Sequence, residues 1–279
     1  MNKSLLQLYG LKWNPFATDI PIEALHVGDA TEAFCWRIEN ILVREGGFAL
    51  ITGEPGTGKS VTLRLLAARL STLPDLQVAP LTHPSATVVD FYRELGELFG
   101  VDLRPHNRWG GFKLLRGKWL AHMDSTLMRP VLLIDEAQEC SPAVLSELRL
   151  LSSADFDARS LLSVVLAGDR RLTELMRRDA LLPLGSRMRV RLPLEAASRE
   201  QLQDTLNHLM RAAGNPALLP KDLVITLAEH AIGNYRVLTQ MANELLSAAA
   251  QRELDRIDQS LYFEVFKPDA SPRTRTRNA

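Results

Sequence analysis

Cysteine is scarce in this chain. Cys35 and Cys140 stand far apart among 279 residues, at no spacing that suits a metal ligand set. A disulfide framework is thereby excluded as the basis of the fold, and a reducing compartment is implied. Long hydrophobic runs are missing too. No apolar stretch approaches the roughly 18 residues of a membrane span. Met1-Asn2-Lys3-Ser4 leads into no signal-peptide core. The expectation is a cytoplasmic protein without a membrane partner. Net charge is also absent: Lys plus Arg and Asp plus Glu both total 33, so the overall balance gives no sign of a polyanionic partner. No internal repeat is visible. What is left is an ordinary globular composition, 46% hydrophobic and 24% charged, long enough for one large domain and a small one.

What the chain does carry is a glycine-rich octet. Gly53-Glu54-Pro55-Gly56-Thr57-Gly58-Lys59-Ser60 follows the apolar run Phe48–Thr52 and precedes the amphipathic run Val61–Leu70. Strand, glycine loop and helix in that order are the setting of a phosphate-binding P-loop. Glycines let backbone N–H groups curl around phosphates at the positive end of the following helix. Lys59 is expected to reach the β- and γ-phosphates and Ser60 to ligate Mg²⁺. Val61 extends the nucleotide-contacting segment into the helix. A mere strand-to-helix turn would leave the Lys-Ser pair unexplained.

Val131-Leu132-Leu133-Ile134 is a continuous apolar run, as a strand buried on both faces of a parallel sheet requires. It ends in Asp135-Glu136, about 75 residues beyond the P-loop. That is a strand's carboxyl end, where open α/β sheets bind ligands. Asp135 is expected to share the Mg²⁺ shell with Ser60, and Glu136 to polarise an attacking water. ATP and Mg²⁺ are the cofactors this pairing implies.

The rest of the chain supplies the frame. Residues 1–27 read as an extended N-terminal segment, punctuated by Pro15 and Pro21 and anchored by Trp13, Pro15 and Phe16. Residues 28–195 read as a P-loop α/β core. Its first helix starts near Ala30, with Asp29 and Glu32 as a capping-box-like start and Gly46-Gly47 as its stop. Strands are predicted at Phe48–Thr52, Gln77–Thr82, Val131–Ile134, Leu161–Ala167 and Val190–Leu194. Helices are predicted over Ser85–Phe99 and Trp109–Met128, and after the Ser141-Pro142 cap. Strands alternating with helices mean a parallel sheet covered on both faces. Beyond Glu195 the strand signal stops, and 196–267 reads as an all-helical lid opened by Ser198 and Gln201. The basic stretch 268–279 reads as a disordered tail.

Three later positions fit a nucleotide machine. Asp169, after the strand ending at Gly168, falls where a γ-phosphate sensor would lie, or else caps the next helix. Arg187 could leave its own site for the γ-phosphate of a neighbouring subunit, although Arg189 and Arg191 crowd the choice. Arg236, opening a helix after Gly233-Asn234-Tyr235, could fold over bound nucleotide or pair with a surface carboxylate.

In this layout the chain resembles the AAA+ ATPases. The resemblance rests on Gly53–Ser60, Asp135-Glu136, Arg187 and Gly233–Arg236, and covers about residues 5–266. Tyr9-Gly10-Leu11, Asn14-Pro15-Phe16 and Gly47-Phe48…Thr52-Gly53-Glu54 are similar to the ExeA-type branch, related to transposition ATPases of the TniB, TnsC, IstB and MuB kind. Asp169 departs from the usual Asn, Thr or Gln. The resemblance implies nucleotide-dependent self-assembly, as a ring or helical filament, on double-stranded DNA with a transposase as partner. A secretion-assembly ATPase of the ExeA kind and a nucleotide-switched scaffold with slow hydrolysis are the alternatives. The secretion ATPase carries membrane and cell-wall-binding segments, and this chain is expected to have neither. For DNA, the stretch from Arg104 to Lys118 holds five basic residues and no acidic one. Arg104, Arg108, Lys113, Arg116 and Lys118 are the candidate contacts, with Lys113 and Arg116 expected to project away from Phe112, Leu115 and Trp119. The Arg273–Arg277 tail is the next candidate.

Overall fold

The computed structural model describes residues 3–84, 87–103 and 107–266. They form two compact units, one of Leu25–Ala196 and one of the described residues within 1–24 and 197–279. Seven strands occur among the described residues: β1 (Gly47–Gly53), β2 (Val78–Leu81), β3 (Val131–Ile134), β4 (Ser153–Ala154), β5 (Arg159–Ser160), β6 (Ser163–Gly168) and β7 (Met188–Leu194). Five form one sheet in the order β2-β3-β6-β1-β7, and every pairing in it is parallel. β4 and β5 form a separate two-stranded hairpin.

Position in the sheet explains each strand's residues. β3 and β6 are central and buried at every position, so both read as continuous apolar runs. β7 lies at an edge and alternates: Met188, Val190 and Leu192 point inward, while Arg189, Arg191 and Pro193 face out. The arginine crowd of the sequence is therefore partly the solvent face of an edge strand, where proline is tolerated as well. Leu161, expected in β6, instead donates its N–H to Ser152 O (2.7 Å) from the hairpin's approach.

Helices flank the sheet. The helix Val88–Phe99 is capped by Thr87, whose hydroxyl accepts from Asp90 N at 3.1 Å, and ends at Gly100 with φ of +60°. Its expected start at Ser85 lies outside the described residues. Phe91, Leu95 and Phe99 share one core with Trp119, Leu132 and Leu166, and Phe99 meets Trp119 edge to face at 5.2 Å. The helix Asp29–Arg37 corrects an expectation. The helix already begins at Asp29, so its N-cap is Gly28, which has no side chain to cap with; the Glu32 carboxylate pairs with Arg69 at 2.7 Å instead.

The second unit is helical from Arg199 onward, with helices Arg199–Ala213, Lys221–His230, Tyr235–Gln251 and Gln259–Val265. Ser198 and Gln201 form a full capping box. The segment 1–27 is not simply extended. It holds a helix, Lys3–Leu8, and a 3-10 turn, Ile22–Ala24, and its described residues up to Ala24 belong to the helical unit. Lys12 N donates to Ala213 O (2.9 Å), Asn215 Nδ2 to Tyr9 O (2.8 Å) and Tyr9 hydroxyl to Leu254 O (2.9 Å). Tyr9, Leu11 and Phe16 are buried, which is why this stretch folds onto the helices. The expected tail 268–279 lies outside the described residues.

Candidate nucleotide-binding site

The octet leaves β1 at the carboxyl edge of the sheet. β1 is also where the strand order reverses, with β6 and earlier strands on one side and β7 on the other. Open α/β sheets bind ligands at such a switch point. Gly53 is glycine for space: a Cβ there would meet Thr57 Oγ1 at 2.5 Å and Leu194 O at 2.6 Å. Gly56 and Gly58 are glycines for conformation, with φ of +84° and +102°. The chain then enters the helix Lys59–Leu70, whose first-turn N–H groups face the loop. Lys59 is buried, and its Nζ donates to Gly53 O at 2.8 Å and Glu54 O at 3.1 Å. The ammonium is thus folded into the loop's concavity, where phosphate oxygens can replace those carbonyls. Glu54, Pro55 and Val61 are exposed, and Thr57 Oγ1 donates to Glu54 O at 2.8 Å.

The acidic strand tip meets this loop. Ser60 Oγ donates to Asp135 Oδ2 at 2.7 Å, which joins the start of the P-loop helix to the tip of β3. A hydroxyl and a carboxylate converging beside a phosphate loop are hard oxygen donors of the kind Mg²⁺ prefers. Among the described residues no group of three or more His, Cys, Asp or Glu could hold an ion by itself. The fit is therefore to a metal that shares its shell with nucleotide phosphates and water. Asp135 Oδ1 also accepts from Glu136 N at 2.9 Å. Glu136 is exposed, with its backbone in the left-handed region at φ +48°, a strained setting often found at functional positions.

Asp169 turns out to be a cap. Its Oδ1 accepts from Arg171 N at 2.8 Å, and its Oδ2 pairs with the Arg171 guanidinium at 2.9 Å. That same guanidinium binds Glu139 at 2.8 Å. The cation cancels the repulsion a lone carboxylate would exert on phosphate, but it also occupies the side chain expected to sense it. The group that does link the strand tips is Gln138, a residue with no motif signature of its own. Its Nε2 donates to Glu136 Oε2, and its Oε1 accepts from Asp169 N at 3.2 Å.

Residues 43–176 match the family model for an AAA domain. General secretion pathway protein A of Aeromonas hydrophila is 31% identical over 256 residues, which make up 90% of this chain and 46% of that protein. The chain thus spans about half the length of this relative. Among solved structures, Drosophila ORC bound to DNA superposes with a TM-score of 0.71 at 16% identity, covering 95% of this chain and 65% of that one. The Aeropyrum pernix ORC2 protein, as ADPNP–ADP complexes, gives 0.70 at 15% identity over 90% and 70% of the two chains. The fold is that of the AAA+ P-loop ATPases.

In this α/β core, Arg187 sits just before β7, whose Met188 pairs with Phe48 near the start of β1. It lies at the amino edge of the sheet, one strand length or about 20 Å from its own P-loop. Its guanidinium pairs with Asp157 of the β4–β5 hairpin and donates to Pro183 O at 2.9 Å. Arg189 pairs with Glu45 at 2.7 Å, and Arg191 donates to Gly185 O at 2.9 Å. Arg236 belongs to the helical unit. It is exposed in the first turn of Tyr235–Gln251, where Asn234 Oδ1 accepts from its N–H at 2.9 Å.

The candidate DNA contacts divide. Arg104 lies outside the described residues. Arg108 is committed to Glu147, a buried carboxylate that also accepts from the Tyr92 hydroxyl at 2.6 Å. Burial, then this hydrogen bond, pushes the Tyr92 phenol well above its ordinary range. Arg116 donates to Leu150 O and Leu151 O, both at 3.2 Å, and to Ser153 O. It therefore closes the carboxyl end of the helix Pro142–Ser152. It also lies over the Phe112 ring at 4.9 Å, contrary to the expectation that it projects away from that ring. Positions four apart share a helix face, which places Arg116 with Phe112 and Lys113 with Trp109, 4.8 Å from that ring. Lys118 donates to Gly100 O at 3.3 Å and is exposed.

Proposed function

We propose that this chain binds MgATP and hydrolyses it, with its activity organised across subunits of an assembly. The observation that carries this is the convergence of Lys59, Ser60, Asp135 and Glu136 at the carboxyl edge of one sheet. The loop amides and Lys59 would hold the phosphates, and Ser60 with Asp135 would hold Mg²⁺, which supplies charge neutralisation at the phosphates. Glu136 takes a proton from water as the water oxygen bonds the γ-phosphorus. The bond to the bridging oxygen breaks, and its electrons leave with ADP. Arg187 is too far from its own loop to assist there, so its place is the γ-phosphate of a neighbouring subunit. Arg236 is proposed to report nucleotide state to the lid.

The test separates binding from turnover. Glu136→Gln should keep ATP affinity within a few-fold yet lose about 10²–10⁴ in hydrolysis, and Lys59→Ala should lose binding itself. Near-wild-type hydrolysis by the Gln variant would remove Glu136 from the mechanism.

For the partner, we propose double-stranded DNA and a transposase, as the resemblance to transposition ATPases implies. Support for DNA comes from the fold shared with ORC, a protein solved bound to DNA. The second proposal is a role in secretion assembly, favoured by the likeness to General secretion pathway protein A across 90% of this chain. Hydrolysis stimulated by duplex DNA supports the first, and hydrolysis indifferent to DNA supports the second.

A further inference from the structure

The two carboxylates and the P-loop do not explain why Gln138 is buried between strand tips. It follows the Asp-Glu pair by two residues, in the 3-10 turn Ala137–Glu139, and only 8% of it is exposed. Its carboxamide is used at both ends: Nε2 donates to Glu136 Oε2, and Oε1 accepts from Asp169 N. Asp169 follows β6, which lies between β3 and β1, with Ile134 opposite Leu166 and Thr52 opposite Gly168. The amide therefore ties the Glu136 carboxylate to the strand tip that separates it from the P-loop. Gly168 confirms that the space is reserved. Its backbone needs no positive φ, yet a Cβ there would lie 2.5 Å from Gln138 Oε1 and 2.8 Å from Leu172. Only a residue without a side chain lets the amide in.

We infer that Gln138 is a positioning residue for hydrolysis, fixing one oxygen of Glu136 so that the other faces the attacking water. This rests on the proposal that Glu136 is the base. A planar amide suits the task, since one rigid group satisfies a buried N–H and orients a carboxylate without adding charge. Binding of the nucleotide does not pass through it. Its removal should therefore act on kcat and spare KM, because the cost of a misplaced reacting group falls in the transition state.

Steady-state ATPase assays on Gln138→Ala and Gln138→Glu, with and without duplex DNA, test this. Gln138→Glu keeps the size and the acceptor for Asp169 N but replaces the donor with a charge facing Glu136. Both variants should lose about 10–100-fold in kcat, with KM and fluorescent-nucleotide affinity within about threefold of wild type. Gln138→Asn, which keeps the donor on a shorter arm, should recover part of that loss. A Tm near wild type for Gln138→Glu together with lost kcat separates positioning from folding. Unchanged or raised kcat in both variants, while the wild type hydrolyses ATP and Glu136→Gln does not, overturns this inference and leaves the base in place. A wild type that hydrolyses nothing under either condition overturns both.

Discussion

Cys35 and Glu147 are both buried, and each can be tested by a single substitution. Burial pushes the Cys35 thiol up to about 11 from its ordinary 9.0, against the pull of Arg69. The folded state thus holds this proton more tightly than the unfolded chain does. Its contribution is complete below pH 9 and is lost as pH rises through about 11, at up to about 1.4 kcal/mol per pH unit. Urea titrations between pH 8 and 11 should show a shallower decline for Cys35→Ala than for wild type. Equal slopes would mean the thiol ionises as freely in the fold as outside it. Glu147 is buried with its carboxylate met by Arg108 and the Tyr92 hydroxyl. Arg108→Ala should therefore destabilise the chain by about 1–3 kcal/mol, since a buried charged acceptor loses its strongest donor. A midpoint within experimental error of wild type would return Arg108 to the pool of free surface cations.

At the scale of elements, the helix Arg108–Thr126 is attached to Pro142–Ser152 by its arginines rather than by its apolar stripe alone. Leu115, Trp119 and Met123 enter the core, while Arg116 reaches the carbonyls that a helix end leaves unpaired. Arg116→Ala should cost about 1–2 kcal/mol, and Arg116→Lys should recover little, because one ammonium cannot reproduce the guanidinium's fan of donors. Full recovery by Lys would show that charge at the helix end matters more than donor geometry. The β4–β5 hairpin plays a similar part for Arg187 through Asp157, so Arg108, Arg116 and Arg187 each hold elements in place through named acceptors.

For the whole molecule, the decisive question is whether one chain suffices. Arg187 at the amino edge and the P-loop at the carboxyl edge of the same sheet lie one strand length, roughly 20 Å, apart within one chain. Arg187→Ala should bind ATP and lose about 10³ or more in turnover, the scale of an arginine supplied in trans. Mixing it with Lys59→Ala should restore part of the activity, since some interfaces then pair an intact loop with an intact arginine. Co-assembly without recovery would sink the shared site. The proposed DNA contact belongs to the proposed assembly as well. With Arg108 and Arg116 engaged internally, Lys113 and Lys118 are the described cations of their helix left to meet phosphate. Replacing both with Ala should flatten the log–log salt dependence by at most about 1.8. An unchanged slope would move the DNA path off this helix.

Much of this was legible from short-range chemistry. The P-loop octet, the apolar run ending in Asp135-Glu136, the Ser141 and Ser198 caps and the alternation of strands with helices each depend on residues within a turn or a strand of one another. The chain's local physics therefore determines them, and with them the fold class. Tertiary structure decided which polar side chains are free. Arg108 on Glu147 and Arg116 on helix carbonyls follow from partners brought near by packing, up to 39 residues away in sequence, whereas the Asp169 cap is local, with Arg171 N two residues on as its donor. Residues 3–24 fold with the helices after Ala197 because Tyr9, Leu11 and Phe16 must be buried, and no periodicity in so short a segment names the surface that will cover them. The role of Gln138 is of the same kind. A glutamine two residues past an acidic pair has no signature of its own, and its function comes from the strand tip that closes over it.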